Sequence, residues 1–189
     1  MSCKSSTTKA NNLLRQYATV IQNGNFQPAI LTLSYIYQLN EVSQCFRVKG
    51  TEKWPYRSFE QILFDHGRFF KLSHSAGLKR TDIGNRFRYA SNQQSSEIIY
   101  CEGIILKPDG LAFEHAWNLS VNTGEIVDAY FDASCYFGIP LTKDFVCKYN
   151  RGLGIFSPDE LSNGIDLLEL GLPQNAIWKK DGIPKKDNP

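Results

Sequence analysis

The chain has 189 residues, with 21 Lys and Arg against 19 Asp and Glu, and a net charge of +2. That length suits one domain and buries a core without disulfide or metal staples, and its 42% hydrophobic and 13% aromatic content fits a globular fold. So small a net charge excludes a global field for nucleic acid or anionic lipid, and no apolar stretch approaches membrane-spanning length.

The five cysteines, Cys3, Cys45, Cys101, Cys135 and Cys147, form neither CxxC pairs nor Cys/His metal spacings. No disulfide framework and no metal site is expected. No cofactor is expected either, because no glycine-rich phosphate loop follows a strand and no carboxylates cluster for two metals. The amino terminus is polar from Met1 to Asn12, without the apolar segment of a signal peptide. A reducing, cytoplasmic setting is the simplest expectation.

In chain order, residues 1–9 read as frayed. Leu13, Leu14, Tyr17, Val20 and Ile21 form a helical stripe, so an amphipathic helix is predicted over Ala10 to Ile21, ended by Asn23-Gly24-Asn25. Pro28 suits the first turn of a second, densely apolar helix running to about Asn40. Residues 41–57 read as irregular around Gly50 and Trp54-Pro55. Ser58 with Gln61 is a capping-box pattern for a short helix that Gly67 closes. Arg68 to Leu72 reads as a strand, Ser73 to Gly84 as loop, and Asn85 to Gln94 as a short helix. His66 and His74 flank loops with no visible partner, and Phe64, Phe69 and Phe70 are core candidates.

From Glu97 to Phe131, three apolar runs are separated by Lys107-Pro108-Asp109-Gly110 and Asn122-Thr123-Gly124. They read as an antiparallel meander. Gly152-Leu153-Gly154 marks a later turn. Ser157-Pro158-Asp159-Glu160 opens a helix reaching about Leu170 and stopping at Gly171. The expected organisation is a single domain over residues 1–178: a helical part (10–66), a sheet-bearing core (84–141) and a terminal helix (157–170). The tail at 179–189 reads as disordered.

The meander carries the chemistry. Tyr100-Cys101-Glu102-Gly103, Glu114-His115-Ala116-Trp117-Asn118 and Val127-Asp128-Ala129-Tyr130 each sit in one of its runs. A thiol, an imidazole and an orienting carboxylate are the parts of a cysteine-nucleophile acyl-transfer site. The register stays open. A four-residue first loop sets Glu102 opposite His115, whereas a three-residue loop sets Gly103 there and moves Cys101 to that face. A two-residue Thr123-Gly124 turn keeps His115 and Asp128 on one face but too far apart to touch. A contact between them needs a longer turn, a bulge or a different pairing. Taken alone, Cys101 also reads as a small buried strand residue, and the basic stretch Arg68, Lys71, Lys79, Arg80, Arg86, Arg88 as a solvated face or a phosphate patch.

These blocks, with Tyr136-Phe137-Gly138-Ile139-Pro140, resemble a group of transglutaminase-like, papain-related bacterial and phage proteins over residues 84–141. The group's pattern is Y-x-E-G, then H-A-W, then V/I-D-P-T, then Y-x-G-V/I. The resemblance implies an α+β fold, with helices packed on an antiparallel sheet of three to five strands. It also implies thioester chemistry on a peptide or amide. His115 then matches the general base and Asp128 the carboxylate that orients it. Glu102 matches a structural or site-lining glutamate, and Trp117 would pack beside the imidazole.

The nucleophile departs from the pattern. Where the group has a cysteine opening a short helix, this chain has Arg86, in Arg86-Phe87-Arg88-Tyr89-Ala90. A guanidinium stays protonated and cannot attack. Asp128 is followed by Ala129-Tyr130 rather than Pro-Thr. Two cysteines are substitutes. Cys101 is near His115 in sequence but lacks the helix N-terminus that lowers a thiol pKa. Cys45 follows Gln44, which resembles an oxyanion donor, but lies far upstream. Two functions therefore stand open: a cysteine hydrolase or acyltransferase acting on a peptide or protein amide, and a non-catalytic protein- or peptide-binding member of the fold. A nucleic-acid-associated protein using the basic stretch is a distant third, and no membrane partner is expected.

Overall fold

A computed structural model describes residues 3–21, 24–45, 53–72, 80–150, 152–156 and 167–179. The fold is α+β, with helices on one face of a five-stranded antiparallel sheet. The helices are α1 (Cys3–Val20), α2 (Gln27–Cys45), α3 (Phe59–His66), α4 (Arg86–Asn92) and α5 (Lys143–Tyr149). The strands are β1 (Arg68–Phe69), β2 (Ile98–Leu106), β3 (Ala112–Ser120), β4 (Ile126–Val127) and β5 (Cys135–Leu141), in spatial order β1-β5-β2-β3-β4.

Alternation along the strands gives the sheet two unlike faces. On one face Tyr100, Ile104, Phe137 and Ile139 share a core with the helices, which contribute Leu13, Tyr17, Ile36 and Ile62 among others. Each fully buried aliphatic side chain there contributes about 1.5–3 kcal/mol. On the other face Cys101, Ile105, Trp117, Leu119 and Tyr136 form a smaller cluster covered by loop residues, including Phe70 and Phe131.

Turn chemistry sets the strand registers. Between β2 and β3, Lys107 N–H donates to the Leu111 carbonyl (2.9 Å), the Asp109 carboxylate accepts from Leu111 N–H (3.1 Å), and Gly110 takes φ +86°. This three-residue loop places Gly103 opposite His115 and Cys101 opposite Trp117. Between β3 and β4, Ser120 N–H bonds the Glu125 carbonyl (2.9 Å), leaving a four-residue turn. That turn pairs Asn118 with Val127 and Leu119 with Ile126.

Several elements differ from the sequence expectation. The first helix begins at Cys3 rather than Ala10, and Lys9 in its added turns pairs with Asp65 of α3. The second helix runs past Asn40 to Cys45. Asn40 accepts from Ser58 Oγ (2.8 Å) and Ser43 donates to Glu60 (3.3 Å), so α3 supports the extension. The Ser58 cap forms as read, with Ser58 Oγ accepting from Gln61 N–H (3.1 Å). His66 is not without a partner, since its Nε2 lies 2.5 Å from the Tyr56 hydroxyl. His74 and the helix start at residues 157–160 lie outside the described residues, as do residues 180–189 of the tail. Residues 167–170 are helical, and Gly171 follows at φ +80°. Among the described residues no helix is long and apolar enough to cross a membrane.

Candidate functional site

His115 and Asp128 meet on the loop-covered face. Nε2 of His115 lies 2.8 Å from Oδ2 of Asp128. The four-residue turn makes the contact, because it slides β4 two residues along β3 relative to a two-residue Thr123-Gly124 loop. Asp128 then leaves the strand and turns back, its Oδ1 accepting from Tyr130 N–H (2.8 Å) and Phe131 N–H (3.3 Å). Tyr136 Oη lies 2.9 Å from both Asp128 Oδ2 and the Phe131 carbonyl oxygen. Its single hydrogen favours the carboxylate, the stronger acceptor.

Burial alone raises Asp128, but the His115 hydrogen bond and charge, with Tyr130 N–H and the Tyr136 hydroxyl, outweigh it and hold the carboxyl below its ordinary value. An ionised carboxylate only accepts, so His115 Nε2–H donates to it. In the neutral imidazole Nδ1 is then the basic nitrogen. The ring is fully buried. Trp117 stacks beside it at 6.3 Å between centroids, and Phe131, Tyr130 and Phe113 meet it edge-on at 5.0, 6.2 and 6.4 Å. Gly138 leaves room for the indole: a Cβ there would lie 2.6 Å from the Trp117 ring.

Cys101 shares the face with His115 but sits in an apolar setting. It is fully buried, lies opposite Trp117, and burial pushes its thiol far above the ordinary range, with Arg68 opposing only partly. A nucleophile needs thiolate and access, so this environment argues against Cys101 in that role. Cys135 is buried among the helix-side residues, its thiol pushed up to about 12 by burial. Cys147 is exposed on α5. Cys45 ends α2, and its side chain lies outside the described residues.

Arg86 begins α4, where the resembled group has its cysteine. Its guanidinium lies 4.8 Å from the Phe87 ring and 5.9 Å from that of Phe113, which in turn faces His115. Burial draws its pKa down, with Glu114 and Glu102 countering. Asn118 holds α4 against β3 by donating to the Ala90 carbonyl (2.9 Å). Elsewhere in the basic stretch, Arg68 lies over Phe70, and Arg80 lies over Tyr89 while pairing with Asp82 at 2.8 Å. Aromatic rings and one acid thus occupy these cations, and Lys79 lies outside the described residues.

Glu102 points to the helix face, away from His115. Its Oε2 accepts from Tyr100 Oη (2.5 Å) and Ile155 N–H (2.8 Å), and its Oε1 from Phe156 N–H (2.8 Å). Burial outweighs these bonds and pushes the carboxyl up to about 7. Its contacts are those of a tie between β2 and the 152–156 turn.

No local sequence pattern assigns roles to Tyr136, Asn118 or the Tyr130 and Phe131 amides. Tyr136 and Asn118 were visible in their motifs, but only the strand pairing shows what they touch. Among the described residues no group of three or more His, Cys, Asp or Glu side chains could hold a metal ion. Compared with known proteins, the chain matches no family, no curated sequence and no solved structure.

Proposed function

We propose that this chain is a non-catalytic, transglutaminase-like domain that binds a protein or peptide. The observation that supports it most is the state of Cys101, fully buried beneath apolar neighbours with its thiol pushed up. Arg86 at the start of α4 points the same way, since its guanidinium cannot form a thioester. In this reading the His115–Asp128–Tyr136 network is a buried polar tie that fixes the loop after β4. The free Cys101, Cys135 and Cys147 thiols suit a reducing, cytoplasmic setting.

One observation favours the second reading, a cysteine hydrolase or acyltransferase. The imidazole is oriented by a carboxylate held ionised, the arrangement a general base requires. Its nucleophile would have to come from Cys45 or from a rearrangement that exposes Cys101. Trapping separates the two. Incubated with a glutamine-bearing peptide and hydroxylamine, a thioester enzyme yields a hydroxamate. We expect none. A hydroxamate that disappears in His115→Ala would overturn the binding-domain reading.

A further inference from the structure

We infer that residues 152–156 form a pH-sensitive strap, closed most tightly on the helix face when Glu102 carries a proton and loosened as that carboxyl ionises. The strap is fastened at this one side chain. Ile155 N–H donates to Oε2 and Phe156 N–H to Oε1, each at 2.8 Å. Gly152 N–H is taken by Asn150 Oδ1 (2.7 Å). Gly152 and Gly154 sit at φ +105° and +104°, where the absence of a Cβ lets the chain turn freely. A Cβ at Gly154 would lie 2.8 Å from Glu102 Oε1, so the close approach also needs glycine. Ile155 and Phe156 are 1% and 4% exposed. They share the core with Phe87 and Phe59, and the Phe156 and Phe59 rings are 6.2 Å apart.

The closed strap takes a neutral carboxyl without losing either amide bond. Oε2 also accepts from Tyr100 Oη (2.5 Å), and a phenol can donate or accept. With a proton on Oε2 that one bond reverses, and the strap amides stay bonded. An ionised Glu102 keeps all three bonds, but it holds a buried charge among neutral donors at the cost of desolvation. Its neighbours do not offset that cost. Glu60 of α3 and Glu114 of β3 line the same small void as Glu102. The Glu114 charge opposes ionisation, and the Arg86 charge favours it. Tyr35 of α2 stands near Glu60 and Glu114, and a Cβ at Gly152 would meet the Arg88 guanidinium at 3.2 Å. β5 sets Ile139 opposite Glu102. α5 turns Phe145 and Val146 inward and leaves Lys143, Asp144 and Lys148 exposed. Burial is the largest influence and holds the carboxyl up at about 7.

Lifting the strap lets water reach Glu102 and returns it toward its ordinary 4.5. The closed form therefore binds the proton more tightly than the open form. Opening grows as pH rises from that ordinary value to about 7 and levels off above it. The open form uncovers Phe59, Leu63 and Ile104, which the closed form covers with Phe156.

Hydrogen exchange of the Ile155 and Phe156 amides tests this, read by NMR on the full chain from about pH 5 to about pH 8 and divided by the free-peptide rate at each pH. Opening should rise at least about tenfold between about pH 5 and about pH 7 and then level off. The strap amides should also exchange faster than those of β2, as local opening requires. Glu102→Gln should abolish the rise. If that variant does not fold, Glu114→Gln takes its place, and the levelling-off should move to lower pH. Opening that is flat over this range, or that still rises in Glu102→Gln, would overturn the inference. So would a levelling-off unmoved in Glu114→Gln, or strap amides that exchange no faster than those of β2.

Discussion

Among the described residues each face of the sheet buries one carboxylate, and the two shift in opposite directions. Asp128, on the loop-covered face, is held below its ordinary value, while Glu102, on the helix face, is pushed up to about 7. Both accept several good hydrogen bonds, so hydrogen-bond number does not decide the sign. The partners do. Asp128 faces an imidazole that can carry positive charge, and Glu102 faces a phenol and two backbone amides, all neutral. Where only neutral donors surround a deeply buried acid, desolvation wins. The lesson concerns function as well. The loop-covered face holds its carboxylate against an imidazole, and the helix face holds its own against neutral donors.

The largest expected effect breaks the Asp128 side. Asp128→Ala leaves the His115, Tyr136, Tyr130 and Phe131 donors without their shared acceptor and should cost about 3–5 kcal/mol in urea unfolding. In the wild type this acid's depressed value makes its contribution present above the ordinary 3.8 and lost as pH falls through the folded value. A loss below about 1 kcal/mol, no more than an exposed pair is worth, would show that the network does not hold the loop.

The next effect sharpens the contrast by pH. Glu102 is an acid raised from 4.5 to about 7, so between those values the folded chain binds more protons than the unfolded chain. Its contribution therefore falls as pH rises through that window, by about 2–4 kcal/mol in total. Glu102→Gln should flatten that slope. Persistence of the slope in the variant would assign it to another group.

Smaller effects probe the neighbours. Cys101→Ser places a hydroxyl in the apolar cluster and should cost about 1–3 kcal/mol with no change in thiol reactivity elsewhere. Unchanged stability together with lost reactivity would make Cys101 the nucleophile after all. Tyr136→Phe removes one hydrogen bond to the ionised Asp128 and should cost about 1.5–3 kcal/mol, measured by thermal unfolding.

The meander and its two polar residues were legible because turn residues and apolar runs alternate cleanly between Glu97 and Phe131. Their contact was not. It depends on turn length, and the Ser120 and Thr123 side chains, which accept from Thr123 N–H (3.3 Å) and Glu125 N–H (3.2 Å), stabilise the longer turn. Residue type alone does not specify that choice. The strand β5 was visible only as the motif Tyr136-Phe137-Gly138-Ile139-Pro140, and a proline lacks the N–H of a paired strand. The proline is tolerated because β1 pairs with β5 at Phe137 and Gly138, and the bridge beyond it, Leu141 to Ile177, uses the Pro140 carbonyl, which accepts from Trp178 N–H (2.9 Å), and not its nitrogen. Glu102 was seen as structural or site-lining, but its ties to Ile155 and Phe156 span more than fifty residues, beyond any local pattern.

The central claim is that His115 orients no reactive thiol, and the pH dependence of alkylation of each cysteine tests it most directly. Peptide mass spectrometry would read all five thiols in the native chain, with His115→Ala alongside. The account predicts that Cys101 and Cys135 stay protected, and that no thiol reacts fast below about pH 8.5, the free-cysteine value. A single cysteine alkylated rapidly near pH ~6, below that free-cysteine value, and slowed by His115→Ala would establish a thiolate–imidazolium pair and contradict the account.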